Sequence, residues 1–461
     1  MLMKGAYENV VEAVGQTPIV RLNRLASHVA ANIYVKLEFL NPGGSAKDRP
    51  AIQIVRDAEA DGSLQPGGTI VESTSGNTGM GLAMVASIRG YKTVFVMPDK
   101  MSEEKIAALR AFGSRVIVTP TNVEPEDPRS YYRVAEQVVR ETPGAILANQ
   151  YHNPSNPKAH ELSTGPEIWA QTEGEVDALV VAMGTGGTIS GLGRYLKSKK
   201  PETKIVGVDP VGSIYYDYFR TGAITEASSY RVEGFGEDFL PSTMDFGPLD
   251  DVIRVSDKDC FQWTRKLVRS EGIYAGGSSG GAVCAAIRYA ERTGTDGNIL
   301  VILPDSAGRY LSKIFNDTWM KEGGFLETDL EDEKIGDLLR ERGAPLVSAS
   351  AEDSFATVIA SLKEHGFSQL PVLDDSGRLV GLIRERDMLE ALLNKEADAD
   401  SPIEGHLDNG YALVESQNRA SLLTQLFSQG KVVVVEDQGR VSGILTNIDF
   451  IDWMAARVSA S

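Results

Sequence analysis

Short apolar runs alternate with helical patterns over roughly the first 320 residues of the chain. Runs of this kind predict buried strands, and the segments between them repeat apolar positions with the period of a helix. This order predicts an α/β fold with mostly parallel sheets covered by helices. The predicted strands are 32–37, 69–72, 93–97, 115–118, 178–182, 204–209 and 299–303.

Two of the predicted helices end close to a glycine, which is a common stop signal. They cover residues 80–89, before Gly90, and 102–111, before Gly113. Residues 222–251 are instead rich in Gly, Pro and acidic side chains, and this composition predicts an active-site or surface loop.

The pattern changes after Trp319. Residues 326–334 carry five acids and one lysine, which suits a solvated linker or an exposed helix start. A unit of helix, strand, tight turn, strand and helix then occurs twice, and an internal repeat outranks a single motif in deciding architecture. We therefore predict a first domain over 1–325, an acidic linker over 326–334, and two α+β repeat domains over 335–395 and 396–461.

Composition narrows the classes of function. The 42% hydrophobic and 24% charged residues are typical of a soluble globular protein, and the net charge of -18 argues against non-specific binding to nucleic acid or anionic membrane. No segment has the pattern of a membrane span or a secretion signal, so we expect a cytoplasmic protein. Cys260 and Cys284 make no disulfide framework and the five His residues show no metal-ligand spacing, so we expect no metal site.

Lys47 stands at the end of a small-residue loop, just before a predicted helix, in the segment 41–50. Pro50 suits the first helical turn, and apolar residues follow at helical spacing. The helix dipole and burial both disfavour a charge on this lysine, which makes it a candidate amine nucleophile for a Schiff base with a carbonyl. A solvated lysine at a helix start is the alternative.

Three polar or glycine-rich loops each open a helix. Residues 184–188, Gly-Thr-Gly-Gly-Thr, lie between a strand and a helix and suit an anion such as phosphate, although an ordinary turn is the alternative. Residues 73–79 offer hydroxyls and N–H groups to a small carboxylate, or form a polar cap, and 275–282 form a third loop. Together with a loop lysine they suit pyridoxal phosphate and a carboxylate substrate.

With these residues in hand, the first 320 or so positions closely resemble the fold-type II pyridoxal-phosphate enzymes and, within them, the cystathionine β-synthase family. The resemblance implies two α/β subdomains with mostly parallel sheets. The repeat resembles a tandem CBS-domain pair, or Bateman module, of the α+β class. The segments that carry the catalytic resemblance are 15–18, 41–49, 72–79, 150–160, 184–188, 277–278 and 303–306.

The resemblance implies roles for the cofactor contacts. Lys47 forms the Schiff base with pyridoxal phosphate and later acts as the base at the substrate Cα. Asn77 hydrogen-bonds the ring hydroxyl, and Ser278 lies by the pyridine nitrogen, where a hydroxyl partner favours β-elimination over transamination. The phosphate is held by Gly184, Thr185, Gly186, Gly187 and Thr188.

The resemblance also implies the substrate contacts and the reaction, a β-replacement that joins L-serine and L-homocysteine to give L-cystathionine and water. Hydrogen sulfide released from cysteine is an expected side activity. The substrate carboxylate is held by Thr74, Ser75, Thr78 and Gln150, with Tyr151 beside the ring and the site mouth.

The chain departs from the family pattern in two places. Some members carry an N-terminal haem-binding extension with Cys and His ligands, whereas no cysteine precedes Cys260 here, so we expect no haem. Animal and yeast members place a tyrosine near the homocysteine site in a stretch that corresponds to 233–239. Here the stretch includes Gly234 and has Glu237 in place of that tyrosine, and Glu237 could bind an amino group or shape the second-substrate pocket.

In CBS-domain pairs a Thr-x-x-Asp after the last strand of each repeat contacts nucleotide ribose. The second repeat keeps this pair, whereas the first has Arg384 and Asp387. We therefore expect one site, for S-adenosylmethionine or another adenosyl ligand, with a packing and oligomerisation module as the alternative. Its expected residues are Phe367, Gln369, Thr446 and Asp449.

Two other functions stay open beside cystathionine β-synthase. An O-acetylserine-dependent cysteine synthase shares the first half of the reaction. An adenosyl-ligand sensor with a silent catalytic domain belongs to another class, and the presence of Lys47, Asn77, the 184–188 loop and Ser278 argues against it. By analogy with the fold type, we expect a homodimer or a dimer of dimers.

Overall fold

The computed structural model describes residues 2–74, 76–124, 127–326, 333–343 and 345–458. The chain divides into two compact units, Met1–Leu326 and Glu327–Ser461. Within the described residues, no helix combines the length and the apolar character needed to cross a membrane.

Ten strands lie among the described residues of the first unit. A six-stranded sheet has the order β1-β2-β10-β7-β8-β9 and is parallel except for β1, and a four-stranded parallel sheet has the order β5-β4-β3-β6. The strands are β1 (Ile19–Arg21), β2 (Asn32–Leu37), β3 (Thr69–Ser73), β4 (Lys92–Pro98), β5 (Arg115–Thr119), β6 (Ala145–Leu147), β7 (Ala178–Ala182), β8 (Lys204–Pro210), β9 (Asp251–Val255) and β10 (Asn298–Leu303).

Helices cover both sheets, as the α/β prediction requires. The α-helices of this unit are α1 (Asp48–Ala60), α2 (Asn77–Arg89), α3 (Glu103–Ala111), α4 (Tyr131–Glu141), α5 (Ser155–Ala159), α6 (Gly165–Thr172), α7 (Gly187–Lys199), α8 (Tyr215–Thr221), α9 (Asp257–Lys266), α10 (Gly277–Thr293) and α11 (Asp317–Glu322). Each of the seven predicted strands lies within an observed one, whereas β1, β6 and β9 were not expected. The loop predicted over 222–251 ends one residue earlier, because Asp251 already pairs with β8.

The strand β10 shows why these runs form buried strands. Its residues alternate between two hydrophobic cores: Ile299, Val301 and Leu303 pack on one face of the sheet, and Leu300 and Ile302 pack on the other. Since successive side chains of a strand point to opposite faces, a continuous apolar run requires helices on both sides. The site described below lies where such strands end.

The second unit contains the two predicted repeats. Its elements are α12 (Ile335–Arg342), α13 (Phe355–His365), β11 (Gln369–Leu373), β12 (Leu379–Arg384), α14 (Glu385–Leu393), β13 (Tyr411–Glu415), α15 (Ser421–Ser428), β14 (Val432–Asp437), β15 (Arg440–Leu445) and α16 (Asn447–Val458). One sheet pairs β11 with β12, and the other has the order β13-β14-β15.

Helix α12 packs with the second repeat, although the first repeat follows it directly in the chain. Ile335 and Leu338 of α12 are buried in one hydrophobic core with Val433 and Trp453 of the second repeat. The core of the first repeat instead extends to Ile403. Each of the two cores therefore takes residues from both sides of position 395, because packing joins α12 to the later repeat.

Candidate active site

A cleft of about 1360 Å³ lies between the two sheets of the first unit. It is formed by residues that follow the carboxyl ends of parallel strands, where ligands of open α/β sheets bind. Of the expected catalytic-domain residues, Ser75 lies outside the described residues and Gly187 does not face the cleft. Those that line it are Lys47, Thr74, Asn77, Thr78, Gln150, Tyr151, Gly184, Thr185, Gly186, Thr188, Gly234, Glu237 and Ser278.

Lys47 precedes α1 directly and lines the cleft. Burial lowers the pKa of its ammonium group, against the carboxylates of Glu237 and Asp305, which raise it. A lysine in this setting has the enhanced amine character that a Schiff-base nucleophile needs. The position and the chemistry of Lys47 both suit a carbonyl cofactor.

The loop that carries Lys47 is held rigidly at Gly43. The Gly43 N–H donates to Oδ2 of Asp48 at 2.6 Å, and its carbonyl accepts from Nη2 of Arg309 at 2.7 Å. A Cβ at Gly43 would lie 2.2 Å from Oδ1 of Asp48, so only glycine fits between the loop and this carboxyl group. These contacts hold the loop that leads to Lys47 in place.

A network of buried ion pairs lies next to the start of α1. Arg49 pairs with Glu38 at 2.7 Å and with Glu167 at 2.9 Å, and Lys36 pairs with Glu167 at 2.7 Å. The Arg49 guanidinium is the main reason that the pKa of Glu38 falls to about 2, although burial by itself would raise it. The network anchors the residue two positions beyond Lys47.

The loop 184–188 follows β7 and opens α7. Gly186 has a φ of 81°, and the Gly187 N–H donates to Oγ1 of Thr185 at 3.5 Å, so the N–H groups that follow it in the first turn of α7 are the ones that suit an anion. A Cβ at Gly187 would lie 2.0 Å from Oδ1 of Asn156, which explains why the position is a glycine. The donors and the small residues of this loop fit a phosphate group.

Three side chains behind this loop set its shape. Nδ2 of Asn156 donates to Oγ1 of Thr185 at 2.9 Å, and Nε2 of His160 lies 3.2 Å from Oγ1 of Thr188. Burial lowers the pKa of His160 to about 3, so this imidazole is neutral and serves as a hydrogen-bonding partner. Oγ1 of Thr243 donates to the Thr185 carbonyl at 2.5 Å.

The polar loop after β3 forms a compact group with Gln150. Oγ1 of Thr78 donates to Oε1 of Gln150 at 2.5 Å, and Oγ1 of Thr74 accepts the N–H of Gly76 at 3.2 Å. Glu72 lies beneath, where its carboxyl group accepts the N–H groups of residues 149 and 150, and burial raises its pKa to about 8. The arrangement presents hydroxyl and amide groups to the cleft, which suits a small carboxylate.

Asn77 and Ser278 stand at the first turns of two further helices. Nδ2 of Asn77 donates to Oδ2 of Asp305 at 2.9 Å. Ser278 is the second residue of α10 and is 2% exposed, and a Cβ at Gly234 would lie 4.0 Å from its Oγ. These two polar groups and Lys47 line one cleft, as a cofactor with a ring hydroxyl and a ring nitrogen requires.

Two glutamates of the loop 233–239 differ in the charged side chains that lie next to them. Glu233 pairs with Lys105 at 2.5 Å and with Lys313 at 2.6 Å. Glu237 lines the same cleft, where burial raises its pKa to about 8, with Asp238 adding to the rise and the Tyr151 hydroxyl opposing it. Across the described ranges, no lysine or arginine forms an ion pair with Glu237, so its carboxyl group faces the cleft without a fixed cation.

Several residues of the site were not singled out from the sequence. Asn156 and His160 lie within the segment 150–160, which carries part of the resemblance. The resemblance therefore pointed to this segment but assigned no role to these two residues. Asp305 likewise lies within 303–306. Thr243 lies in the long loop after α8, within the segment 222–251 that was predicted as an active-site or surface loop.

In the second unit, the expected nucleotide residues come together only in part. Oδ2 of Asp449 accepts the N–H of Thr446 at 2.8 Å and its Oγ1 at 2.7 Å. Oδ1 of Asp449 pairs with Nε of Arg342 at 2.9 Å. Phe367 instead packs against the core of the first repeat and stacks on His365, and Gln369 opens β11.

Comparisons with known proteins agree with this geometry. The family model described as "Pyridoxal-phosphate dependent enzyme" matches residues 10–305, and the CBS domain matches residues 335–394. The fold and the cleft thus define a pyridoxal-phosphate-dependent enzyme of fold type II with a C-terminal CBS domain.

Individual relatives narrow the class. Cystathionine beta-synthase of Saccharomyces cerevisiae is 36% identical over 496 residues, which cover 97% of this chain and 98% of that protein. A cysteine synthase of Staphylococcus aureus is 40% identical over 306 residues, 66% of this chain and 96% of that protein. The solved structure of a hydrogen sulfide-producing enzyme from Fusobacterium nucleatum is 34% identical, has a TM-score of 0.61 and covers 66% of this chain and all (100%) of that chain. The chain belongs to the cystathionine β-synthase family of pyridoxal-phosphate-dependent enzymes.

Proposed function

We propose that this enzyme condenses L-serine with L-homocysteine to give L-cystathionine and water. The observation that carries the proposal is the single cleft that combines Lys47, a phosphate-type loop and a polar loop next to Gln150. Similarity to yeast cystathionine beta-synthase along almost the whole chain supports the same substrates.

The residues suit pyridoxal phosphate. Lys47 would hold it covalently, Gly184–Thr188 its phosphate, Asn77 its ring hydroxyl and Ser278 its ring nitrogen. When bound, this cofactor supplies the electron sink that acidifies the substrate Cα and permits loss of the β-substituent. Cys260 and Cys284 are buried thiols whose pKa burial raises, which makes them poor haem ligands, and we propose that no haem is used.

The first substrate would be oriented by its carboxylate. Thr74, Ser75, Thr78 and Gln150 would bind this group, and Tyr151 would limit the mouth of the site. Once released, Lys47 is a free amine within the same cleft, so it can take the proton from Cα and return it to the leaving hydroxyl. Homocysteine would then add through its sulfur at Cβ, and Lys47 would carry the proton released by the thiol back to Cα before it holds the cofactor again.

Glu237 would bind the second substrate. Its carboxyl group faces the cleft without a fixed cation, and the ammonium group of an amino-acid nucleophile is a suitable partner. Gly234 would give that substrate room beside Ser278.

A cysteine synthase that uses O-acetylserine is the second candidate, because the S. aureus relative matches two thirds of the chain. That reaction needs the same Lys47 and the same first half, and it differs in taking sulfide, which has no ammonium group. A carboxylate at the second-substrate position favours the amino-acid thiol. Cysteine as the first substrate would release hydrogen sulfide, and the F. nucleatum relative is a hydrogen sulfide-producing enzyme.

The test is a product assay with purified protein, homocysteine and a choice of serine, O-acetylserine or cysteine. We expect cystathionine from serine, with the visible absorption of bound pyridoxal phosphate and no Soret band. Lys47→Ala is the control and should lose the product while the folded protein remains. Cysteine from O-acetylserine and sulfide, without cystathionine, would support the second candidate. A colourless protein that makes neither product but binds an adenosyl ligand would support a sensor with a silent catalytic domain.

For the second unit we propose one adenosyl-ligand site at Thr446 and Asp449, with S-adenosylmethionine as the first compound to test. Calorimetric titration of the full chain is the measurement. We also propose a homodimer, or a dimer of dimers, in the cytoplasm. Along the sequence we propose a catalytic segment over 1–325, a linker over 326–334 and CBS-domain segments over 335–395 and 396–461, whose two hydrophobic cores each take residues from both CBS-domain segments. Light scattering tests the assembly.

A further inference from the structure

Asp305 and Asn77 join the two sheets across the cleft. Asp305 comes two residues after β10 of the six-stranded sheet, and Asn77 opens α2 after β3 of the four-stranded sheet. Their side chains form the hydrogen bond of 2.9 Å between Asn77 Nδ2 and Asp305 Oδ2, although the residues are 228 positions apart. The bond therefore depends on the tertiary structure and lies among the cofactor contacts.

The Asp305 carboxyl group is held in place from its own sheet. The Tyr310 hydroxyl donates to the same Oδ2 at 2.6 Å, and the Gly276 N–H donates to the Asp305 carbonyl at 2.9 Å. A Cβ at Gly276 would lie 2.2 Å from Oδ1 of Asp305, so the carboxyl group fills space that only a glycine leaves. Asp305 is 2% exposed, and its position does not depend on Asn77.

The bond fixes which side of the Asn77 amide faces the cleft. An amide carries two N–H donors on one side and one oxygen acceptor on the other, and its terminal torsion is broad and roughly two-fold. Because Oδ2 of Asp305 also accepts the Tyr310 hydroxyl, it acts as an acceptor and selects the orientation in which Nδ2 of Asn77 points toward it. The second N–H of Nδ2 then remains for an acceptor in the cleft, such as a ring oxygen.

We propose that Asp305 is a positioning residue that orients the Asn77 amide as a hydrogen-bond donor to the pyridoxal ring hydroxyl. The inference rests on the proposed function, in which Asn77 contacts that hydroxyl. Asp305 itself acts through Asn77 and does not need to touch the substrate.

The test measures the cofactor rather than turnover. Cofactor-free full-length protein is titrated with pyridoxal phosphate, and the dissociation constant and the absorption maximum of the bound cofactor are recorded. Asp305→Ala should weaken binding about tenfold, the usual effect of losing a charge-assisted hydrogen bond, and should shift the absorption maximum. Asp305→Asn keeps an oxygen acceptor and should restore part of the affinity.

A double-mutant cycle separates positioning from general damage. The double variant Asn77→Ala, Asp305→Ala should bind no more weakly than Asn77→Ala alone, because the effects of residues that act as a unit do not add. Asp209 is the matched control, since it is a buried aspartate in β8 of the same sheet, and Asp209→Ala should leave the absorption maximum unchanged. Additive effects, or a wild-type spectrum and affinity in Asp305→Ala, would overturn the inference. Failure of the wild type to bind the cofactor would instead overturn the proposed function.

Discussion

Nε of Arg342 lies 2.9 Å from Oδ1 of Asp449, so the arginine of α12 pairs with the acid in the first turn of α16. Nη1 of Arg342 also donates to the Ile444 carbonyl at 2.5 Å. With Thr446 bound to the other carboxylate oxygen, both oxygens of Asp449 already have partners. A ribose hydroxyl would therefore have to compete with this ion pair.

Removing the Arg342 side chain should strengthen adenosyl binding. The pair is mostly buried, so its loss frees an acceptor for a ligand hydroxyl, and we expect Arg342→Ala to lower the dissociation constant for S-adenosylmethionine severalfold in calorimetric titration. Arg340→Ala is the control, because Arg340 lies on the same helix and is 80% exposed. Weaker binding by Arg342→Ala would show that the arginine helps to bind the ligand instead.

The affinity for homocysteine should depend on the ionisation of Glu237. Burial raises the pKa of this carboxyl group to about 8, so it becomes an anion as the pH rises through that value and then attracts an ammonium group. We expect the KM for homocysteine to fall between pH 7 and pH 8.5 in the wild type, more than in Glu237→Gln. The homocysteine thiol ionises in the same way in assays of both proteins. The difference between their two KM profiles therefore reports the ionisation of Glu237 alone.

Glu233→Gln provides the comparison within the same loop. Glu233 already pairs with two lysines. Glu233→Gln should therefore change the KM for homocysteine but leave the pH dependence of that KM as it is in the wild type. An identical pH profile for wild type and Glu237→Gln would contradict a role for Glu237 in the second substrate.

Gly187→Ala should weaken cofactor binding. The new Cβ would lie 2.0 Å from Oδ1 of Asn156, and moving Asn156 breaks its bond to Thr185 in the phosphate loop. We expect the dissociation constant for pyridoxal phosphate to rise about tenfold or more, as loss of a buried hydrogen bond implies. Gly405→Ala is the control, because a Cβ there meets nothing within 4 Å. Equal affinities would show that the loop does not hold the phosphate.

The buried pair of Arg49 and Glu38 should stabilise the fold above mildly acidic pH. Arg49 lowers the pKa of Glu38 from 4.5 to about 2 although burial opposes this. A carboxyl group with a lowered pKa contributes stability above its ordinary pKa and loses it as the pH falls through the folded value. The contribution is about 3 kcal/mol at neutral pH and disappears between pH 4.5 and pH 2.

Glu38→Gln should therefore lower the free energy of unfolding in urea by about 3 kcal/mol at pH 7, with a smaller difference from the wild type near pH 4. Glu59→Gln is the control, since Glu59 pairs with Arg89 in a partly exposed position at the other end of α1. We expect that variant to cost less than about 1 kcal/mol. A pH-independent difference for Glu38→Gln would contradict the linkage.

Local patterns determined much of this protein. The apolar runs predicted the central strands because a parallel strand buries both faces, and the glycine stop signals predicted the ends of α2 and α3 within two residues. The Lys47 loop and the 184–188 loop were visible because a helix start needs particular residues next to each other. The same reasoning missed β1 and β6, which are three residues long and depend on pairing with a neighbour.

Only the tertiary structure decided which distant groups meet. Asn77 reaches Asp305 because the two sheets face each other, and α12 packs with the second repeat rather than the first that follows it. The different surroundings of Glu233 and Glu237 have the same origin, since Lys105 and Lys313 come from separate parts of the fold. Periodicity and turn chemistry act between neighbours in the chain, whereas burial and charge pairing depend on every element that packs around a residue.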